Sequence, residues 1–216
     1  VTNPSLYAKL PYDAARDFGP VTLIATIPNM LVVHPTVPAD SVLALIALAR
    51  KKQLAVAHTG IGASNHLAGI LFGYLTGTKL LLVPYKGAGP AITGVLSAET
   101  DMMFATMVSI LPQVKSSKLR ALAVTGARRS PAASELPTVS EAGVPGYEAN
   151  AWFATYVVAG TPATLVQRLN AEITRIINSA EIRDRLAAQG AEATTSSPAE
   201  LARYTADEIE IGRAHV

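Results

Sequence analysis

Two glycine-rich turns stand back to back over Leu54–Ala91, each following a short apolar run and each opening a helix-like segment, and this repeat restricts the fold more than any other stretch. Leu54–His58 has the length and composition of a strand, and Thr59-Gly60-Ile61-Gly62-Ala63-Ser64 interrupts it with two glycines and two hydroxyls. From Asn65 the residues Leu67, Ile70, Leu71, Tyr74 and Leu75 recur at helical spacing, which makes Ser64 the expected N-cap and Gly77 the stop. Leu80–Tyr85 repeats the strand and Lys86-Gly87-Ala88-Gly89 the turn. Pro90 fits the first helical position, where a missing N–H sacrifices no bond.

Helix N-termini carry unpaired N–H groups and about half a positive charge. Two of them at the same end of a parallel sheet can share one carboxylate or phosphate. Gly62, Ala63, Ser64 and His66 from the first unit, with Lys86, Gly87, Gly89 and Pro90 from the second, are therefore the candidate anion site. Ala105 and Thr106 join them, because Asp101–Ala105 reads as the next strand and ends at the same edge.

Upstream, Val21–Ala25 and Met30–Val33 read as strands with Pro28 between them, and Asp40 or Ser41 caps a helix running to about Lys52. Downstream, a helix to about Ser117 leads into a strand at Leu119–Thr125, completing a βαβαβαβ run. Alternation at this spacing predicts an α/β fold with a mainly parallel sheet covered on both faces. Gly126–Gly146 is loop with a helical turn at Val139–Ala142, and Tyr147–Val158 is strand again. A helix from Thr161-Pro162 carries Leu165, Leu169, Ile173, Ile176 and Ile177 on one stripe, and two further helices follow.

Composition narrows the function. A net charge of +2 with 16% charged residues leaves no basic field for nucleic acid. Three stretches lack formal charge, Phe18–Ala39, Leu54–Thr78 and Ala149–Gln167, but prolines, glycines and polar residues interrupt each, so none reads as a membrane span. The chain holds no cysteine, and its four histidines lack metal-ligand spacing. No basic-then-apolar leader opens the sequence, and Val1 is not a start residue.

Ser64 and His66 do not make a nucleophile and base, since residues two apart on a helix point apart and no acid sits nearby to orient the ring. His66 reads first as a buried histidine bonded to backbone, and second as a cleft-edge side chain. Gly60-Ile61-Gly62 lacks the third glycine of a dinucleotide fingerprint, and Lys86–Gly89 lacks the phosphate-loop spacing. No catalytic residue and no cofactor follow from these motifs. Lys86 reads equally as an anion partner or a solvated lysine, Trp152 as core ahead of a ligand platform, and Arg128-Arg129 as a solvated loop pair.

One ordered set of motifs runs along nearly the whole chain. It comprises Asn3-Pro4-Ser5-Leu6-Tyr7, Leu10-Pro11-Tyr12-Asp13, His66-Leu67-Ala68-Gly69, Val83-Pro84-Tyr85-Lys86-Gly87-Ala88-Gly89-Pro90-Ala91 and Lys118–Thr125. Leu136–Gly143, Pro145-Gly146-Tyr147-Glu148, Trp152 and Ala159-Gly160-Thr161-Pro162 complete it. In this set the chain resembles the solute-receptor proteins of tripartite tricarboxylate transporters, the Bug receptors.

The resemblance implies a non-enzymatic periplasmic receptor of two α/β lobes, like a type II periplasmic binding protein, holding a small organic acid or amino acid by its carboxylate. It implies transfer of that solute to membrane permease subunits, with no insertion of the receptor itself. Residues 1–30 would be a partial lobe one, 31–150 lobe two, and 151–216 the return to lobe one, with crossovers near Met30–Val33 and Asn150–Phe153. The family's first strand and glycine-rich loop would lie upstream of Val1. The family usually has a hydroxyl at Ala63 and often an acid at Gly94 and Ala105. The tail Ile211-Gly212-Arg213-Ala214-His215-Val216 is expected to be adapter-encoded in place of the natural end. An α/β enzyme acting on an acidic metabolite through the same turns is the rival, and the effector domain of a transcription regulator a third reading.

Overall fold

A computed structural model describes residues 9–13 and 16–214, with side chains as far as 210. The motif at Asn3–Tyr7 and the side chains of the tail from Ile211 lie outside the described residues. The chain divides into two compact units, one comprising Ile27–Ala151 with Ala188–Ala191, the other Trp152–Ala187 with the chain before Ile27 and after Ala191.

The first of these units follows the predicted alternation. The strand β1 (Phe18–Val33) leads into α1 (Val42–Ala49), β2 (Leu54–His58), α2 (Ser64–Thr76), β3 (Leu80–Pro84), α3 (Ala88–Leu96), β4 (Met102–Thr106), α4 (Met107–Lys115) and β5 (Arg120–Val124). The strand order is β3-β2-β4-β1-β5. β2 is parallel to β3, with His58 opposite Pro84, and parallel to β4, with Ala57 opposite Met103. β1 runs antiparallel to both β4 and β5, so the four strands of the βα run share one direction around a reversed fifth.

The two expected upstream strands are thus one. Pro28 is tolerated within it because the β4 ladder begins only at Asn29, opposite Thr106, and the ladder to Glu192–Ala193 ends at Thr26. A proline has no N–H to give, and neither of these two ladders asks for one there.

Ser41 caps α1, its hydroxyl accepting the Ala44 N–H at 3.3 Å. Over one face of the sheet, α1 and α2 bury Leu45, Ile46, Ala68 and Phe72 against Leu31, Val56 and Phe104. Tyr147 closes this cluster. Its ring lies 6.1 Å from both Phe72 and Phe104, and its buried hydroxyl donates to the Ala68 carbonyl at 2.9 Å. Aromatic pairs of this kind are worth about 0.5–1.5 kcal/mol beyond their buried area. The expected turn at Val139–Ala142 is there, closed by Ala142 N–H to Thr138 O at 2.9 Å.

The second unit holds the first half of β1 with β6 (Asn150–Val158) and β7 (Glu192–Ala193), then α5 (Ala163–Ile177), α6 (Ala180–Ala188) and α7 (Pro198–Ala214). Trp152 behaves as a packing residue, edge-on to Tyr204 at 5.2 Å and donating from Nε1 to Glu208. The stripe expected to bury α5 does not do so. No residue of that helix is fully buried, and Leu165 and Ile176 remain 47% and 48% exposed. Among the described residues α5 packs on α7 and ties to the strand layer through Asn170, which donates to Val21 O and Ser196 O, and Leu169, Ile173 and Ile177 are half-buried.

Candidate functional site

Three of the parallel strands end side by side, and each end leads into a helix. β2 sits between β3 and β4, and the chain leaves β2 toward β3 before crossing back to β4. That reversal is a topological switch point, and open α/β sheets hold ligands outside the carboxyl strand ends at such points.

The turn after β2 needs its glycines, since Gly60 and Gly62 have φ of 135° and 82°. Side chains fix it from within. Asn65 Oδ1 accepts both the Thr59 N–H and the Thr59 hydroxyl at 3.2 Å, and His58 Nδ1 and His66 Nδ1 accept the Gly60 and Gly62 amides. Ala63, rather than the expected Ser64, is the N-cap of α2 and makes no side-chain cap bond. Asn65, inside the first turn of α2, reaches back to Thr59 and ties the turn to the helix without capping its amides. The Ala63 carbonyl accepts from His66 and Leu67, while the Ser64 and Asn65 amides have no acceptor among the described residues.

The second turn lies alongside, joined by Tyr85 N–H to His58 O at 2.8 Å. Gly87 caps α3 with φ 110°, so Ala88 is the first helical residue and Pro90 the third, two positions later than expected. The placement remains free of penalty, because every N–H of the first turn is orphaned. The Ala88 and Gly89 amides have no acceptor among the described residues. A Cβ built on Gly87 or Gly89 meets nothing within 4 Å. Lys86 is exposed at this turn.

Thr106 ends β4 and caps α4, its hydroxyl 3.0 Å from that of Ser109. Ala105 is 1% exposed, so its methyl belongs to the sheet and contributes backbone alone. The three turns Thr59–Ser64, Lys86–Pro90 and Ala105–Thr106 contain no carboxylate and one formal cation, Lys86. With three helix N-termini added, the edge favours an anion.

Three residues that the turn pattern did not single out also stand here. His58 lies beneath the first turn, and Asn29 and Thr125 flank the β4 end. The Asn29 N–H donates to Thr125 Oγ1 at 2.7 Å, Asn29 Nδ2 to Ala149 O at 3.0 Å, and the Thr125 hydroxyl to Ala149 O at 2.7 Å. Asn29 Oδ1 is buried without a partner. A polar residue at the last position of an apolar strand, as at His58 and Thr125, was the available signal.

Burial first, and the neighbouring His58 second, hold the His66 imidazole below its ordinary pKa. Its Nδ1 faces an amide, so it is not placed to take a proton from Ser64. Among the described residues no group of histidines and carboxylates could hold a metal ion, and no helix is long and apolar enough to cross a membrane.

The sequence profile described as the tripartite tricarboxylate transporter family receptor matches residues 1–214. The chain belongs to this receptor family. A protein encoded in the tcbD–tcbE intergenic region of Pseudomonas sp. strain P51 is 36% identical over 97% of this chain and 63% of its own length. This family member therefore spans less than two thirds of that curated relative. Among solved structures, R. palustris Rpa4515 with adipate superposes with a TM-score of 0.93 at 35% identity, covering 97% of this chain and 71% of the other. MatC from Rhodopseudomonas palustris with bound malate gives 0.89 at 28%, covering 99% and 74%. The α/β fold of the receptor family member is that of periplasmic binding proteins.

Proposed function

We propose that this chain is part of a periplasmic receptor that captures a small carboxylate-bearing solute and delivers it, unaltered, to the permease subunits of a tripartite tricarboxylate-type transporter. The observation carrying this reading is the row of helix N-termini at one sheet edge, where the Ser64, Asn65, Ala88 and Gly89 amides have no acceptor among the described residues. Gly62, Ala63, Ser64, Lys86, Gly87, Gly89, Pro90 and Thr106 surround the solute, and Ala105 supplies backbone. Charge-assisted hydrogen bonds contribute roughly 1.5–3 kcal/mol each. Two or three of them give a large share of the roughly 8 kcal/mol of micromolar binding. Adipate and malate in the two R. palustris structures support the solute class. The unit of Ile27–Ala151 with Ala188–Ala191 serves as the lobe that presents these amides, and the rest of the chain belongs to the other lobe.

Calorimetry against acetate, adipate, malate, citrate and aspartate tests the reading. Saturable micromolar binding of at least one, with no turnover of any of them, is expected. Turnover of a bound acid would favour the enzyme reading, and no binding across the panel would remove the receptor reading.

A further inference from the structure

The turn that presents the Ser64 and Asn65 amides contains two glycines at positive φ, the residues with the most backbone freedom to lose on ordering. Two imidazoles hold it. His58, ending β2, and His66, in the first turn of α2, are 2% and 8% exposed, and their ring centroids lie 4.6 Å apart at 50°. His58 Nδ1 accepts the Gly60 N–H at 3.2 Å, and His66 Nδ1 accepts the Gly62 N–H at 3.4 Å. A ring nitrogen that accepts an N–H carries no proton, so each bond requires a neutral ring with its hydrogen on Nε2.

We propose that His58 and His66 are a pair of positioning residues for the anion site, both held as Nε2–H tautomers, whose Nδ1 atoms set the glycine turn and so aim the α2 amides. The functional consequence rests on the carboxylate-binding reading above, whereas the tautomers and the amide bonds do not.

Protonating either ring at Nδ1 would turn an acceptor into a donor pointed at another donor, and two charged rings at this separation would repel. Around His66 the surroundings oppose that charge without compensating it. β3, α3 and β4 carry no titratable side chain, Tyr74 lies farther along α2, and Tyr85 follows Pro84, the residue opposite His58. Lys86, one residue beyond, is the formal charge on the adjoining turn, and a cation there disfavours a second. Burial acts in the same direction on His66. The neutral pair is therefore the binding form, and acid weakens binding by releasing the turn. A ring that touched the solute would do the reverse, because its positive charge would draw the anion in.

Long-range proton–nitrogen spectra of the imidazoles in the full chain, recorded from pH 8 down to pH 5 together with the Gly60 and Gly62 amide resonances, test this directly. Both rings are expected as Nε2–H tautomers at pH 7.5, and any ring titration should move the amide of its own glycine with the same midpoint. An Nδ1–H tautomer in either ring, or amides indifferent to a ring that titrates, overturns the proposal. In calorimetry with malate at pH 7.5, H66L should lose at least about tenfold more affinity than H66N, whose Oδ1 can take over the acceptor role. Equal losses would overturn it as well. If the unsubstituted chain bound none of the five acids of the calorimetric panel, the receptor reading would fail, and the ring and amide spectra would still decide the positioning role.

Discussion

Replacing Gly89 with valine places an isopropyl group over the first turn of α3, where the proposed solute meets the Ala88 and Gly89 amides. The position is the second residue of the helix, its φ is ordinary, and a Cβ built there meets no atom within 4 Å. The fold should therefore accept the change. Valine has slightly better helix propensity than glycine, by a few tenths of a kcal/mol. For a chain of this size about 1 kcal/mol moves the melting temperature by roughly 2–4 °C, so the expected shift is about 1 °C. Binding should respond very differently. Losing one charge-assisted hydrogen bond, at about 1.5–3 kcal/mol, weakens affinity about ten- to hundredfold, and losing two squares that factor. Calorimetry with adipate and malate on the unsubstituted and Gly89→Val proteins, beside thermal unfolding of both, separates the two effects. A variant that melts normally and binds within twofold of the parent would refute the assignment of these amides.

Gly94, five residues along the same helix, should give the opposite signature. A Cβ there falls 2.6 Å from Tyr85 Cζ and 3.1 Å from Cε1, so Gly94→Ala should cost about 1–3 kcal/mol through overpacking, and an unchanged melting temperature would contradict that. Tyr147→Phe keeps the ring among Phe72 and Phe104 but loses the bond to the Ala68 carbonyl, and should lower stability by about 1 kcal/mol in urea unfolding. Burial raises the Tyr147 phenol well above its usual range, so its ultraviolet titration should stay silent past pH 10 while the fold persists, and a normal titration in the folded protein would contradict the packing. The Glu141 carboxyl is held below its ordinary 4.5 by the Thr138 N–H first and Arg129 second. Its contribution is present above that pH and disappears as pH falls through the depressed value, so Glu141→Gln should flatten the acid limb of the stability profile. Identical acid limbs in the two proteins would count against it.

The βα alternation was legible because its strands are short apolar runs, two of them closed by glycine turns, and such signals are local. The reversed strand β1 was not, since nothing near Met30–Val33 announces that its partners are Met102–Thr106 and Arg120–Val124. Pro28 suggested a break, and only the register explains its tolerance. Helix starts were readable to within one or two residues. The N-cap is Ala63 rather than Ser64, and no side chain caps it, so the hydroxyl that suggested Ser64 takes no part in the start of the helix. Amphipathic spacing along α5 announced an apolar stripe, but periodicity does not show how much of a stripe other elements cover. The two imidazoles under the first turn needed coordinates, because facing rings eight residues apart leave no periodic trace.

Asn29 and Ala149 stand near the two ends of Ile27–Ala151, the main stretch of its unit, and are joined by a hydrogen bond, with Thr125 bridging both. A length of chain whose way in and way out meet at one such knot behaves as a cassette: a short peptide could splice its ends into a ring, with new termini opened in a surface loop. Because the knot lies at the same sheet edge as the proposed anion site, beside Thr106, any drift of the splice would be felt first there. The same tie that makes the cassette portable therefore makes its entrance the place where transplantation is least forgiving.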